Sequence, residues 1–173
     1  MPRLRQWIWF IALWAGGVAV TGGFELALNC DFLVASENAK FGDTHARVGV
    51  QPGWGLSVLL PQAIGIRRAR EMSFTGNFID AHEAKALGLV NHVVDGGAEG
   101  VLALARQIAE EIAANSPLAV EGTKSVLAAN DGRTVDEGLA FVADHNTMYI
   151  SSNDLIEAMT AFMEKRPPNY TGS

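Results

Sequence analysis

A pair of glycines, Gly22 and Gly23, lies where an apolar run changes into a helical pattern, and this pair constrains the fold more than any other feature of the chain. Glycine lets a second molecule approach the backbone closely. The first N–H groups of a helix lack partners within the helix and lie at the positive end of its dipole. We therefore expect a strand-to-helix turn here that holds a negatively charged oxygen.

Glu25 follows the glycine pair, and we expect it in the first turn of the helix. The residues on either side, Phe24 and Leu26, are apolar and press its carboxylate toward the interior, where it needs partners. Two interpretations stay open. Glu25 either complements the helix dipole or takes part in chemistry.

The composition of the 173-residue chain, with 49% hydrophobic and 18% charged residues, is typical of a globular protein. Its formal net charge of -6 argues against nucleic acid as the main partner, because phosphate binding needs a concentrated basic patch. Cys30 is the only cysteine, and the four histidines form no His-x-x-x-His pair. We therefore predict no metal site and a reducing compartment.

An apolar, tryptophan-rich stretch runs from Trp7 to Phe24 after two arginines. Such a stretch resembles a signal peptide or a membrane span. Four glycines interrupt it and acidic residues follow at once, which favours a buried strand or a segment that is not native to the fold. A membrane-anchored protein remains an alternative that rests on residues 7–24 alone.

Short strands precede a helical tail, and this order predicts an α/β fold. The expected elements are a strand at 32–35, a pocket-lining loop at 41–55, a helix at 55–64, a capped helix from 80 to 88, a strand at 89–94, and helices at 98–114, from Pro117, from Thr134 and at 153–165. The apolar pattern of Leu155, Met159, Phe162 and Met163 predicts core or a subunit interface rather than a ligand site.

Eight short motifs occur in a fixed order: GVAVTGGFELA at 17–27, CD at 30–31, AKFG at 39–42, GVQPG at 49–53, FTG at 74–76, AHEA at 81–84, GLV at 88–90 and AFMEKR at 161–166. With them the chain resembles the enoyl-CoA hydratase/isomerase superfamily, the crotonases, from about residue 17 to residue 170. The resemblance implies an α/β fold in which stacked ββα turns form a spiral. It divides the chain into an aberrant segment at 1–15, a partial crotonase spiral core at 16–114 and a C-terminal helical trimerisation region at 115–173.

The resemblance also implies the site. The backbone N–H of Gly22 matches a donor that holds the thioester oxygen, and Glu25 matches the first of two glutamates that hydratases use around a water molecule. His45 occupies the position of the second glutamate, where it either transfers protons or lines the pocket with a hydrogen bond. Asp43, two residues earlier, is a further candidate to replace that glutamate, but alternation on an extended segment gives it only a weak claim.

Further residues are implied as contacts of the substrate. These are Gly23, Pro52 and Gly53 near the site, and Phe162 and Lys165 near the adenine and phosphates of CoA, where an aromatic face and an ammonium suit a base and a phosphate. An ordinary amphipathic terminal helix is the alternative for the last two. No cofactor is expected, since the CoA thioester is the substrate.

The resemblance therefore implies a cytoplasmic, homo-oligomeric acyl-CoA enzyme, a trimer or a hexamer, that is most similar to an enoyl-CoA hydratase. An isomerase or another lyase of the family is one alternative, and a non-catalytic CoA-binding or assembly subunit is another. The family's second oxyanion donor precedes the glycine motif, and the Trp-rich sequence does not match that segment. Because one such donor is worth about 3 kcal/mol of transition-state stabilisation, we expect weak activity from this chain.

Overall fold

The computed structural model describes residues 11–14 and 21–173, with side chains from residue 23 onward. The predictions that fall on residues 1–10 and 15–20 lie outside the described residues. The elements follow in the order β1 (Ile11–Trp14), α1 (Thr21–Leu28), β2 (Phe32–Ser36), β3 (Lys40–Gly42), a 3₁₀ segment (His45–Val48), α2 (Leu56–Ile64), α3 (Ile66–Thr75), β4 (Phe78–Asp80), α4 (Ala81–Ala86), β5 (His92–Val94), α5 (Gly97–Ala113), α6 (Pro117–Ala129), α7 (Val135–Asn146) and α8 (Asn153–Glu164). Among the described helices, none is long and apolar enough to cross a membrane.

The chain divides into two compact units, Met1–Ile108 and Ala109–Ser173. The first unit contains the strands and the glycine motif, and the second contains helices α6 to α8. The three segments predicted from the sequence, with boundaries after residues 15 and 114, remain a prediction.

Strand β2 lies at the centre of a three-stranded parallel sheet in the order β1-β2-β5. Its residues Leu33, Val34 and Ala35 are all buried. A continuous apolar run is expected of a parallel strand that is covered on both faces. Strands β3 and β4 form a separate antiparallel pair, in which Phe41 lies opposite Ile79. The strand predicted at 32–35 is confirmed, as is the mixed α/β character of the chain.

A contact between two aromatic rings fixes helix α1 against strand β3. Phe24 of α1 and Phe41 of β3 are fully buried, and their ring centroids lie 5.7 Å apart. Leu56, the first residue of α2, belongs to the same apolar cluster. Because Glu25 follows Phe24 directly and Asp43 lies two residues after Phe41, this packing brings two carboxylates into one region of the unit.

Helix α1 begins at Thr21, which changes the position of Glu25 along the helix. Glu25 is the fifth residue of α1 and no acidic residue lies in the first turn, so the prediction that places it there is wrong. The physical reason is that Gly22 and Gly23 are themselves helical residues rather than a turn before the helix. Glu25 therefore does not complement the helix dipole from the first turn of α1. Its side chain turns toward the loop before α2.

Capping side chains begin three of the later helices at the predicted positions. Asp80, Ser116 and Thr134 each accept a backbone N–H at the start of α4, α6 and α7. The capping box is complete at Thr134. In α4 the side chain of Glu83 forms an ion pair with Arg68.

In the second unit, Asp154 ties the C-terminal segment to helices α6 and α8. Its buried carboxylate accepts hydrogen bonds from Ser116 Oγ at 2.7 Å and from the backbone N–H groups of Thr171 at 2.8 Å and Gly172 at 3.0 Å. Burial raises the pKa of Asp154, but these hydrogen bonds outweigh it and hold the pKa below its usual range.

The apolar side chains of α8 are exposed in this chain. The exposed fraction is 38% for Leu155, 61% for Met159, 84% for Phe162 and 80% for Met163. These residues therefore do not form the core of the second unit. Their place in a subunit interface stays a prediction.

Candidate active site

The carboxylate of Glu25 is buried, with 2% of the residue exposed, and the start of helix α2 holds one of its oxygens. Glu25 Oε1 accepts hydrogen bonds from the backbone N–H of Trp54 at 3.0 Å and of Leu56 at 3.4 Å. Groups at the start of a helix have no partner within the helix and suit a carboxylate. One oxygen of Glu25 is thus anchored, and Oε2 faces elsewhere.

Two features of the chain aim these N–H groups at Glu25. Gly55 has a φ of 110°, a left-handed conformation that glycine adopts readily, and it turns the chain into α2. Asn29 Nδ2 donates to the carbonyl oxygen of Glu25 at 2.7 Å and to that of Trp54 at 3.2 Å. The side chain of Asn29 therefore ties the end of α1 to the loop before α2.

The ring of His45 lies between Glu25 and Asp43. Its Nε2 atom is 3.5 Å from Glu25 Oε2, and its Nδ1 atom is 2.7 Å from Asp43 Oδ1. His45 is the first residue of the 3₁₀ segment and is 8% exposed. The three side chains form a line from one carboxylate through an imidazole to the other.

Asp43 is 1% exposed and contacts His45 twice. Its Oδ1 atom accepts the backbone N–H of His45 at 3.1 Å in addition to meeting the ring. Its Oδ2 atom has no hydrogen-bond partner among the described residues. A buried carboxylate in this position depends on the ring for compensation of its charge.

The cluster contains two buried carboxylates and one buried imidazole. When the ring carries its second proton, the charges on Asp43, His45 and Glu25 sum to one negative charge rather than two. Nearby opposite charges stabilise one another strongly where water is excluded. The arrangement can hold an imidazolium, and it can pass a proton between Glu25 Oε2 and His45 Nε2 when the two atoms move to hydrogen-bond distance.

The structure brings together Glu25 and His45, two residues singled out in the sequence. Gly22 and Gly23 lie in the first turn of the same helix α1. Pro52 is half-buried and Gly53 is exposed in the loop that leads to Trp54. All of these lie in the first unit.

Phe162 and Lys165 lie at the end of α8 in the second unit. Lys165 ends the helix in a left-handed conformation with a φ of 53°, and both side chains are exposed. Their role toward CoA stays a prediction.

Sequence reasoning missed the backbone donors at Trp54 and Leu56 and undervalued Asp43. The sequence signal for these donors was the pair of glycines on either side of Trp54, Gly53 and Gly55, which mark a turn into an apolar helix. After Asp43 the chain does not stay extended, so alternation did not predict the contact between Asp43 and His45. It turns into the 3₁₀ segment, and the Asp43 side chain accepts the N–H two residues later, a turn typical of aspartate.

The family model for enoyl-CoA hydratase/isomerase matches residues 10–173. The chain belongs to this family. The predicted resemblance is confirmed, and the fold of the described residues is that of the crotonases. Residues on both sides of the division between the two units are included in the match.

Three relatives show how similar the chain is to other members of the enoyl-CoA hydratase/isomerase family. It is 41% identical over 160 residues to mitochondrial methylglutaconyl-CoA hydratase of Mus musculus, covering 90% of this chain and 50% of the relative. It is 51% identical over 128 residues to a probable peroxisomal enoyl-CoA hydratase of Arabidopsis thaliana, covering 74% and 47%. A crystal structure of an enoyl-CoA hydratase from Mycobacterium marinum matches with a TM-score of 0.88 at 37% identity, covering 94% of this chain and 64% of that one. The chain spans about half the length of the curated relatives it matches.

Proposed function

We propose that this protein adds water to the double bond of a 2-enoyl-CoA thioester. The observation that carries the proposal is the 3.5 Å separation between Glu25 Oε2 and His45 Nε2, two buried atoms of which each can accept or donate a proton. Hydration needs one group that takes a proton from water and one that gives a proton to carbon. The hydratase names of the relatives support the same chemistry.

In the proposed reaction the ionised Glu25 is the base and the imidazolium of His45 is the acid. A water molecule gives one proton to Glu25 Oε2 while its oxygen forms a bond to C3 of the substrate. The electrons of the C2=C3 bond move toward the thioester carbonyl and make an enolate oxygen. His45 then donates its Nε2 proton to C2, and the carbonyl reforms, so that one water molecule has been added in total.

The anchored oxygen of Glu25 suits this role. Two N–H donors hold Oε1 and stabilise the ionised carboxylate, which leaves Oε2 as the atom that receives the proton. After the reaction Glu25 is protonated and His45 is neutral. Transfer of the proton from Oε2 to Nε2 restores the starting state without any other group.

The N–H of Gly22 is proposed as a donor to the enolate oxygen. Its place in the first turn of α1 supports this, because N–H groups there have no partner within the helix. Gly23, Pro52 and Gly53 are proposed as neighbours of the acyl thioester. No cofactor is part of the proposal, since water and the two side chains supply every proton that moves.

Phe162 and Lys165 are proposed to contact the adenine and phosphates of CoA in a homo-oligomer, a trimer or a hexamer. The exposed apolar face of α8 supports assembly, because large exposed apolar patches mark interaction surfaces. A cytoplasmic location is also part of the proposal, and the single cysteine of the chain supports a reducing compartment.

Isomerisation of a 3-enoyl-CoA is the second candidate. A single carboxylate can remove a proton from C2 and return it to C4, and Glu25 has one oxygen, Oε2, that accepts no backbone N–H among the described residues. The family's description includes both activities. A non-catalytic CoA-binding or assembly subunit is the remaining alternative, and it predicts binding without turnover.

Labelled water separates these candidates. The purified protein is incubated with crotonyl-CoA, and separately with a 3-enoyl-CoA, in H₂¹⁸O, and the products are identified by mass spectrometry. Hydration places ¹⁸O on C3 of a 3-hydroxyacyl-CoA, whereas isomerisation moves the double bond and incorporates none. Binding of CoA without either product would contradict both enzymatic candidates and support the non-catalytic subunit.

A further inference from the structure

Asp43 lies in the candidate site, yet the proposed reaction does not use it. Its carboxylate is on the far side of the His45 ring from Glu25, because Nδ1 meets Asp43 while Nε2 faces Glu25. A water molecule that binds at Glu25 Oε2 is therefore out of its reach. Any contribution of Asp43 to the reaction passes through the ring.

The contact between Asp43 and His45 has two points. Oδ1 accepts the backbone N–H of His45 at 3.1 Å and lies 2.7 Å from Nδ1 of the same residue. An ionised carboxylate only accepts hydrogen bonds, so a hydrogen bond at Nδ1 requires the proton to be on that nitrogen. A single oxygen that engages both the backbone and the ring restricts how the ring can rotate.

The burial of Asp43 also supports a close link between its carboxylate and the His45 ring. The residue is buried, and its second oxygen, Oδ2, finds no donor among the described residues. The hydrogen bonds of this carboxylate are thus concentrated on one residue. A buried carboxylate with so few partners depends on its hydrogen bond to the ring.

We propose that Asp43 is a positioning residue that keeps the Nδ1 proton on His45 and directs Nε2 at Glu25. The effect of this role on the rate rests on the proposed function. The position of the Nδ1 proton does not, because it can be measured whether or not the protein turns over substrate. A positioning role differs from a role as a second acid, in which Asp43 itself would donate to the substrate. In the part of the chain that the structure describes, the charged groups that face the ring are Asp43 on one side and Glu25 on the other.

The tautomer is measured directly by nitrogen NMR on protein that contains ¹⁵N-labelled histidine. The His45 signals are assigned by their loss in His45→Gln, and the spectra are followed to the pH at which they stop changing. We expect a protonated Nδ1 and an unprotonated Nε2 in the neutral ring of the native protein. In Asp43→Ala the proton should be divided between the two nitrogens, while the exposed His82 serves as an internal reference that does not change.

The kinetic arm compares Asp43→Asn with Glu37→Gln, an exposed acidic residue outside the site. We expect Asp43→Asn to lower kcat for hydration roughly 100-fold with KM changed by less than about twofold, because the acid is no longer held in its orientation and no substrate contact is lost. In a His45→Gln background the same change should have no further effect, because a residue that acts through the ring has nothing left to act on.

The outcomes are distinct. A native neutral ring with its proton on Nε2, or a tautomer that Asp43→Ala leaves unchanged, would overturn the inference. Independent losses of rate from Asp43→Asn and His45→Gln would also overturn it and identify Asp43 as a residue that acts on the substrate. If the native protein makes no product at all, the proposed hydration fails, and the NMR arm alone decides whether Asp43 positions the ring. Thermal unfolding of every variant confirms that the comparisons are made on folded protein.

Discussion

His45 Nε2 lies 3.5 Å from Glu25 Oε2, while the other oxygen of the same carboxylate accepts two backbone N–H groups. The two oxygens of Glu25 therefore differ in their contacts: Oε1 fixes the side chain, and Oε2 faces the ring. Because backbone donors at the start of α2 make this anchor, its geometry depends on the fold of the loop rather than on the side chains of that loop. Separate substitutions can therefore change the reactivity of Oε2 and the hydrogen bonds to Oε1.

Glu25→Gln tests the reactive oxygen. The amide oxygen of glutamine can accept the same N–H groups, so we expect the free energy of unfolding to change by about 1 kcal/mol or less. The amide cannot take a proton from water, so kcat for hydration of crotonyl-CoA should fall about 100-fold or more. Steady-state kinetics and denaturant unfolding measure the two effects, with Glu37→Gln as the matched control. An unchanged kcat would exclude Glu25 as the base.

His45→Glu tests how the site tolerates a second glutamate in place of the ring. The single change brings three carboxylates together, because Asp43 and Glu25 stay buried on either side. Like charges in one buried site destabilise each other. We expect His45→Glu to be less active than the double variant His45→Glu/Asp43→Asn, and its Tm to be lower by roughly 5 °C. Equal Tm values for the single and double variants would contradict repulsion between Asp43 and the introduced carboxylate.

Trp54→Pro tests the anchored oxygen. Proline has no N–H, so the change removes one of the two donors to Glu25 Oε1. Trp54→Ala is the matched control, because it keeps the N–H and removes a side chain that is 63% exposed. Hydrogen bonds to a charged group are worth about 1.5–3 kcal/mol, and we expect Trp54→Pro alone to lower the free energy of unfolding by that amount and to reduce kcat. Equal losses in the two variants would assign the effect to the indole rather than to the N–H.

Local signals in the sequence predict most of the later elements. The strand around Val34 follows from its apolar run, and the helices that begin after Ser116 and Thr134 follow from their capping side chains. Helix α3 was not predicted, because charged residues dominate it and only Ala69 and Met72 are buried. Too few apolar positions remain for a periodic pattern to be recognised.

The candidate site was predicted in part, and the part that was not predicted depends on contacts that form only in the folded chain. The Gly22 to Glu25 motif could be recognised from residue types, and the departure at His45 from the resemblance to the crotonases. The donors to Glu25 could not, because Trp54 and Leu56 act through their backbone, which no side-chain pattern encodes. The role of Asp43 depends on a turn that ends the extended segment, and such a turn is decided by hydrogen bonds that form only in the fold.

Acid should weaken the second unit through Glu157. Hydrogen bonds from Arg166 and from the backbone N–H of Asn169 lower the pKa of Glu157 from 4.5 to about 2. A carboxyl whose pKa falls on folding stabilises the fold fully above its unfolded value, and that stabilisation is lost as pH falls. We therefore expect Tm to fall between pH 4.5 and pH 2, and the fall to be shallower in Glu157→Gln, which cannot ionise. Calorimetry over this range measures the slope, and Glu121→Gln, an exposed glutamate on α6, is the control. The same slope in both variants would show that the Glu157 pair does not contribute to acid sensitivity.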